Sequence, residues 1–319
     1  MRSRSDRLVA VATLGAFVVV AGVLGLVSLY LGAVTQAMSG LQRTTPLPDY
    51  SGRPSPQHAD GPAATRFLVL VSDDDGRLAS AYLAQLSSAS DALHLVGLPA
   101  NLLVADAQGK DSTLAARFGA GPMSAVRAIE TLMGLRIDHM VQLDLDGFTA
   151  IVDVLGGVGV DNRVETAANG WHFPAGALRL TSASATAYLT SSKHSMTTLE
   201  RTQAVFVEIV QGLIGGDTLT NPAKVENIGD VLNSCVTVDA GLTAGEIRRL
   251  ALDMQLSADA VTAAPLPLAG VSTWGGGEVI VPDQNLMRGL ANALRAEQPR
   301  VWVAKQADPW APLAQLPPR

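Results

Sequence analysis

The longest apolar run of the chain lies near its N-terminus and predicts a transmembrane helix. Residues 8–34 contain no charged residue, and as a helix they would extend about 40 Å, more than the roughly 30 Å of hydrocarbon in a bilayer. The alternative, a cleaved signal peptide, has a shorter apolar stretch of about 7–15 residues. Arginines at positions 2, 4 and 7 precede the run. The positive-inside rule therefore places residues 1–7 in the cytoplasm and the domain outside a cell membrane that the chain crosses once.

Residues 35–65 have no apolar period and combine several prolines with small polar residues. This composition predicts an extended stalk without regular structure. A continuous apolar run from Arg66 to Ser72 follows it and is typical of a buried strand. We therefore expect the folded domain to begin at residue 66.

Strand and helix patterns alternate from residue 66 to residue 258. After the first strand, the apolar spacing predicts strands over 81–87, 93–98 and 137–143. Helices are expected over 122–134, 147–155 with Asp146 as N-cap, 181–191, 197–214 and 243–254. The capping box Thr197-x-x-Glu200 opens the fourth of these helices, and the similar start Thr243-x-x-Glu246 opens the fifth.

A C-terminal extension over 259–304 adds a strand at 279–281 and a helix at 283–295, and the proline-rich residues 305–319 form a tail without predicted structure. Strands that alternate with helices define the fold class as α/β, with a mixed central sheet sandwiched by helices.

Composition and charge exclude one class of function. The net charge is −6 and no basic run follows the N-terminal arginines, which argues against nucleic-acid binding. The single cysteine, Cys235, lies among apolar residues. We expect it to be a buried, inert thiol rather than a nucleophile.

Six segments resemble, in order, the motifs of one family of envelope proteins. They are Gly134-Leu-Arg-Ile-Asp138, Leu143-Asp-Leu-Asp-Gly-Phe148, Val152-Asp-Val-Leu-Gly-Gly-Val158, Phe173-Pro-Ala-Gly176 with Ala187-Tyr188, Leu199-Glu-Arg-Thr-Gln203 and Val236-Thr-Val-Asp239. This series resembles the LytR–CpsA–Psr (LCP) family over about residues 67–255. The resemblance implies a single-pass protein whose outer domain binds polyprenyl-phosphate lipids and transfers a glycopolymer from a lipid pyrophosphate to the cell wall.

The resemblance also assigns roles at the end of the first strand. Asp73 matches the acid of the family's "G-S-D", which implies a carboxylate ligand of Mg²⁺, and Arg77 matches the first residue of "R-S-D-T". The alternative for Asp73 is a solvated turn acid, because Asp74 and Asp75 follow it directly. Either of these could replace a missing metal ligand.

Most other catalytic positions of the family are substituted in this chain. The substituted positions are Ala79 for the second acidic ligand, Ala100 and Asn101 in "I-P-R-D", Thr190 and Ser192 in "A-Y-V-R-x-R-H", and Thr198 in "R-I-x-R-Q". Loss of a carboxylate weakens a Mg²⁺ site, and alanine offers a phosphate neither a charge nor a donor.

Three cations remain as candidates for a phosphate or lipid headgroup: Arg77, Lys193 and Arg201. Lys193 lies beside a lost arginine, and His194 after it is interpreted as solvated. Arg201 is predicted in the first turn of its helix, where a cation is unfavourable unless an anion is bound. Pairing with Glu200 or another acid is the alternative.

Three hypotheses for function follow. The chain is an active glycopolymer phosphotransferase, a binding module that holds a polyprenyl lipid or partners an active LCP homologue, or an interaction protein with a vestigial pocket. The missing arginines favour binding with weak or no phosphotransferase activity. The expected partners are the polyprenyl-phosphate lipid, the membrane and an active homologue, with no nucleic acid.

Overall fold

The structure, a computed structural model, describes residues 40–56, 63–191, 195–214, 221–257, 260–264 and 266–306. The predicted membrane-spanning residues 8–34, together with Lys193, His194 and most of the predicted tail, lie outside these ranges. Within them, no helix combines the length and the apolar character needed to cross a bilayer. The transmembrane helix therefore stays a prediction from the sequence.

The strands in the described ranges are β1 (Gln42–Thr44), β2 (Thr65–Ser72), β3 (Leu78–Leu86), β4 (Leu93–Pro99), β5 (Leu103–Ala105), β6 (Asp111–Thr113), β7 (His139–Asp144), β8 (Val158–Asn162), β9 (Thr166–Ala168), β10 (Trp171–Phe173), β11 (Gly176–Leu180), β12 (Val236–Asp239), β13 (Val261–Ala264), β14 (Leu268–Trp274) and β15 (Gly277–Pro282). The helices there are α1 (Leu114–Gly119), α2 (Pro122–Met133), α3 (Leu145–Val154), α4 (Ser182–Thr190), α5 (Ser195–Ile214), α6 (Pro222–Cys235), α7 (Ala244–Asp253), α8 (Gln284–Arg295) and α9 (Pro299–Ala304).

A mixed central sheet organises the domain, as the alternation of strands and helices predicted. Its strand order is β1-β12-β7-β2-β3-β4-β13. The central strand β2 runs parallel to β7 and antiparallel to β3. Its residues from Leu68 to Val71 are all buried, because helices cover both faces of the sheet. This two-sided burial explains the continuous apolar run in its sequence.

Each face of the sheet has its own apolar core. On one face, α3, α4, α5 and α7 contribute to a cluster that includes Tyr82 and Val205. On the other face, α1, α2 and α8 pack around Leu68, Ile129 and Leu290. Tyr82 stacks on Phe206 of α5, with ring centroids 5.2 Å apart, so side chains fill the space between β3 and α5.

Helix starts show where the sequence prediction was right and where it was wrong. Thr243 caps α7 as predicted and accepts the N–H of Glu246 at 3.1 Å. The N-cap of α3 is Asp144 rather than Asp146, because the chain turns directly from β7 into the helix and Asp144 accepts the Gly147 N–H at 2.6 Å. The predicted capping box at Thr197 is wrong, since α5 already begins at Ser195.

Both predicted borders of the domain differ from the structure. Residues 42–44 of the predicted stalk form β1, which pairs in parallel with β12 at one edge of the central sheet. At the other edge, β13 pairs in parallel with β4, so the predicted C-terminal extension completes the same sheet. Each edge strand is short and gains its hydrogen bonds from a partner distant in sequence, which local patterns do not reveal.

Candidate functional site

The turn between β2 and β3 carries Asp73 and Arg77. Oδ1 of Asp73 accepts the N–H groups of Asp75 and Arg77 at 3.1 and 2.8 Å, and the Asp73 N–H donates to the carbonyl of Arg77 at 2.8 Å. The exposed guanidinium of Arg77 donates to the Asp75 carboxylate. The polar groups of this turn are therefore largely used to hold the turn itself.

These residues do not fit a Mg²⁺ site on their own. One oxygen of Asp73 is occupied by backbone N–H groups, Asp75 is paired with Arg77, and Ala79 offers no ligand. Throughout the described part of the chain, no three His, Cys, Asp or Glu side chains converge as metal ligands. Mg²⁺ demands near-ideal octahedral coordination, which one or two carboxylates usually complete together with waters and substrate phosphates, and two of the three carboxylates of this turn are already engaged within it.

The turn after β4 carries Ala100 and Asn101, which stand where the family motif has an arginine and an aspartate. The carbonyl of Ala100 accepts the Ala115 N–H at 2.8 Å, and the carbonyl of Asn101 accepts the Ile280 N–H at 3.1 Å. The side-chain amide of Asn101 donates to the carbonyl of Glu278 at 3.1 Å. The two residues therefore connect the end of β4 to α1 and β15 through hydrogen bonds.

Arg201 lies in the second turn of α5, not in the first turn as predicted, because the helix begins at Ser195. Its side chain is buried, with the residue 7% exposed. Nη1 donates to the Tyr188 carbonyl at 3.2 Å and to Oγ of Ser191, and Nη2 donates to Oγ1 of Thr166 at 2.6 Å. The guanidinium carbon lies 4.6 Å from the centroid of the Tyr188 ring.

Every one of these partners is neutral, and within the described ranges Arg201 forms no ion pair. Glu200, the acid considered as its partner, affects it only through the longer-range field. Burial of a cation without a counter-charge is costly, and hydrogen bonds to neutral oxygens offset only part of the cost. An anion that reached this guanidinium would supply the missing charge.

A cleft of about 680 Å³ lies beside α5, between that helix, the antiparallel pair of strands β8 and β11, and β13. Its volume is typical of small-molecule sites, which span roughly 300–1,000 Å³. The apolar part of the wall consists of Val160, Leu178, Ala204 and Val207. Its charged part consists of Asp161, Arg163, Glu200, Arg201 and Glu208. The cleft thus joins an apolar wall to a buried guanidinium.

Two carboxyl groups in this cleft have perturbed acidity. Burial raises the pKa of Glu200, an effect that the charges of Arg163 and Arg201 partly oppose. Burial also raises the pKa of Glu208. A raised pKa means that the negative form of each group is disfavoured. The cleft can therefore lose negative charge at a higher pH than exposed glutamates would.

A second cavity, of about 670 Å³, opens next to the turn between β3 and β4, at the end of β3 that lies away from the Asp73–Arg77 turn. Its charges are already paired: Arg249 donates to Glu246 and Asp253, and His139 contacts Asp239 at 3.2 Å. The cleft beside α5 is the better candidate for an anionic ligand, because its buried cation has neutral partners.

Of the predicted headgroup residues, Arg201 lines the cleft beside α5. Asp73 and Arg77 share one turn, and neither lines the cleft that contains Arg201. The position of Lys193 lies outside the described residues. Sequence reasoning missed the cleft, although α5 carried a signal: Thr197, Ala204 and Glu208 place small and polar residues on one helical face where a core helix would be apolar.

Cys235 is half-buried at the end of α6, and its Sγ–H donates to the Val231 carbonyl at 3.1 Å. Burial raises the pKa of the Cys235 thiol to about 11. Since the thiolate is the reactive form, this environment agrees with the predicted inert thiol.

The model of the LytR_cpsA_psr family matches residues 60–295, and the chain therefore belongs to the LytR–CpsA–Psr family. It is 30% identical over 175 residues to "Cell wall biosynthesis protein LcpA" of Corynebacterium glutamicum, covering 52% of this chain and 33% of that protein. It is 31% identical over 119 residues to the "Polyisoprenyl-teichoic acid--peptidoglycan teichoic acid transferase TagU" of Bacillus mycoides, covering 36% of this chain and 39% of that protein. The matched stretches thus span well under half of these relatives.

Solved structures show the same fold. Bacillus subtilis TagV superposes with a TM-score of 0.64 at 17% identity, covering 75% of this chain and 98% of TagV. A LytR-Csp2A-Psr enzyme from Actinomyces oris gives 0.63 at 22% identity, covering 80% and 96% of the two chains. TagT bound to LIIa-WTA gives 0.61 at 14% identity, covering 80% and 99%. These similarities confirm the mixed α/β fold.

Proposed function

We propose that this chain is an envelope protein of cell-wall glycopolymer assembly that binds polyprenyl-(pyro)phosphate lipid carriers, with weak or no phosphotransferase activity. Residues 8–34 anchor it in the cell membrane with its domain outside the cytoplasm. The observation that carries the proposal is the cleft beside α5. There an apolar wall leads to Arg201, whose buried charge has only neutral partners among the described residues.

The two parts of a polyprenyl phosphate match the two parts of this cleft. The isoprenoid chain would bury apolar surface against Val160, Leu178 and Val207, at about 25 cal/mol per Å² removed from water. The phosphate would receive charge-assisted hydrogen bonds from the guanidinium groups of Arg201 and Arg163. The name of one relative, a polyisoprenyl-teichoic acid transferase, supports the same class of ligand, and the name of another, a cell wall biosynthesis protein, supports the role in cell-wall assembly.

Weak or absent phosphotransferase activity is expected from the residues in the turns after β2 and β4. Phosphoryl transfer depends on positive groups that neutralise charge on the phosphates and position them in line. Arg77 is paired with Asp75, Asp73 holds its own turn, and the position expected to grip a pyrophosphate is Ala100. The chain can therefore bind a carrier without the charges that its cleavage requires.

An active phosphotransferase that joins a lipid-linked polymer to the cell wall is the second candidate. It is favoured by the retention of Asp73 and Arg77 at the end of β2. The full chain in nanodiscs, supplied with Mg²⁺ and a polyprenyl-pyrophosphate-linked glycan, should release no lipid phosphate above a protein-free control. Turnover that Asp73→Ala abolishes would establish the second candidate instead.

Binding is tested by filling the cleft. Ala204→Phe places a ring against its apolar wall, and Ala293→Phe is the matched control on α8, where an alanine is also half-buried but lies outside the cleft. We expect Ala204→Phe to weaken binding of polyprenyl phosphate by the full chain at least tenfold and the control to bind as wild type does. Equal affinity of the two variants would exclude this cleft as the binding site.

A further inference from the structure

We infer that the domain faces the membrane with one end of the strands of its central sheet, the end at which the Asp73–Arg77 turn joins β2 to β3. The partner of this surface is the outer leaflet of the lipid bilayer. The inference rests on the membrane anchor that the proposed function includes, and it adds the orientation of the domain.

The pairing register shows where the chain enters the sheet. One row of paired residues crosses six of its seven strands, from β1 to β4: Gln42, Thr237, Gln142, Leu70, Ala81 and Leu98. β1 runs antiparallel to β2, because β1 is parallel to β12, β12 is antiparallel to β7, and β7 is parallel to β2. Residues before Gln42 therefore leave the sheet at the same end as residues after Leu70, which lead to the turn at Asp73.

The link to the predicted anchor is short. Five residues, 35–39, separate the predicted span from Gly40, and fully extended they reach at most about 18 Å. With strands about 4.8 Å apart, the turn at Asp73 lies three strands, or roughly 14 Å, to the side of β1. The turn between β3 and β4 lies at the far end of β3, whose nine residues extend about 30 Å. The turn at Asp73 therefore lies nearer to the bilayer than the turn between β3 and β4 does.

A buried clasp prevents the segment of residues 40–56 from lengthening this link. The hydroxyl of Tyr50 donates to Oε2 of Glu130, and Nε of Arg53 donates to Oε1 of Glu130 at 3.1 Å. Arg53 Nη2 also donates to the Ile137 carbonyl at 2.8 Å, and Oε1 of Glu130 accepts the Ile137 N–H at 2.8 Å. The Glu130 side chain is fully buried, and that of Arg53 is 4% exposed.

The clasp matters because the segment it holds is long. If residues 40–56 detached, they would add up to about 60 Å of extended chain. The domain could then turn either end of its strands towards the lipid. β1 secures one end of the segment and the Glu130 clasp secures the other. Together they hold residues 40–56 on the domain, so that the link to the predicted membrane span begins next to β1.

Two matched fluorescent probes test the orientation in the full chain. Asp74→Cys and Ala89→Cys each place a thiol in an exposed turn, at opposite ends of β3, in a Cys235→Ser background. Both are labelled with the same dye in nanodiscs that contain lipids with a quencher on the headgroup. We expect several-fold stronger quenching at position 74 than at position 89.

Equal or reversed quenching would overturn the inference, and so would a lack of quenching at both positions in protein that floats with vesicles. Failure to float with vesicles would instead remove the anchor that the proposed function includes, and the inference with it. A flexible Gly-Ser insert of about 20 residues between positions 39 and 40, roughly 25 Å in mean span, should reduce the contrast between the probes. A contrast that survives the insert would show that the short link does not set the orientation.

Discussion

Two charged side chains are buried on opposite faces of the sheet, Glu130 and Arg201, and they differ in whether a partner of opposite charge lies beside them. Glu130 is enclosed with Arg53, Tyr50 and a backbone N–H, so its charge is balanced within the described domain. Arg201 is buried as well, yet its hydrogen bonds go to a carbonyl and two hydroxyls. The first arrangement is complete in itself, whereas the second has room for an anion. The comparison separates a structural ion pair from a candidate binding group.

Glu130→Gln should have the largest effect on stability. It leaves the buried Arg53 guanidinium with only the exposed carboxylate of Asp49 as a counter-charge, and breaking a buried pair typically costs about 3–5 kcal/mol. Urea unfolding of the full chain in mild detergent, followed by tryptophan fluorescence, measures the loss. Asp49→Asn is the control, because the Asp49 side chain that contacts Arg53 is 79% exposed. Similar midpoints for the two variants would contradict the assignment of Glu130 as a structural clasp.

Arg201→Met should cost less, roughly 1–3 kcal/mol, because it removes donors from neutral groups that stay buried. Its distinctive effect concerns the ligand. A ligand present at 100 times its Kd stabilises the native state by about 2.7 kcal/mol, and polyprenyl phosphate should do so for wild type and for Glu130→Gln but not for Arg201→Met. The thermal midpoint with and without the lipid measures this. Equal stabilisation of all three proteins by the lipid would show that Arg201 does not bind it.

Glu200→Gln should strengthen lipid binding at neutral pH, because it removes a negative charge beside Arg201. Burial raises the pKa of Glu200, so the affinity of wild type should rise as pH falls through that raised pKa, while the affinity of the variant changes less. The folded state holds this proton more firmly than the unfolded state does. The variant should therefore be at least as stable as wild type at pH 7, with the difference lost towards pH 4. Glu226→Gln, at an exposed helical position, is the control, and an identical pH profile for both variants would exclude Glu200 from the site.

The smallest effect concerns two threonines that look alike in sequence. Thr243 caps α7, and Thr243→Ala should cost about 1 kcal/mol. Thr197 lies within α5 on the wall of the cleft, so Thr197→Ala should change stability far less. Urea midpoints of the two variants compare them directly, and equal losses would mean that α5 begins later than described.

These threonines also show how far sequence reasoning reaches. The apolar run of β2, and the end of α2 at Gly134 with φ of 60°, depend on local chemistry and were predicted. β1 was missed because its hydrogen bonds come from β12, almost two hundred residues later. The environment of Arg201 was missed for the same reason, since Thr166 and Tyr188 reach it from separate elements. Motifs identified the residue, but only the fold supplied its neutral partners.

We propose that a polyprenyl phosphate occupies the cleft beside α5 rather than the turn at Asp73. Photo-crosslinking of the full chain in nanodiscs with a diazirine-bearing polyprenyl phosphate, followed by mass spectrometry of the adducts, tests it directly. We expect adducts in α5 and in the paired strands β8 and β11, and we expect an excess of unmodified lipid phosphate to suppress them. Suppressible adducts confined to the β2–β3 turn, or adducts that competition leaves unchanged, would contradict it.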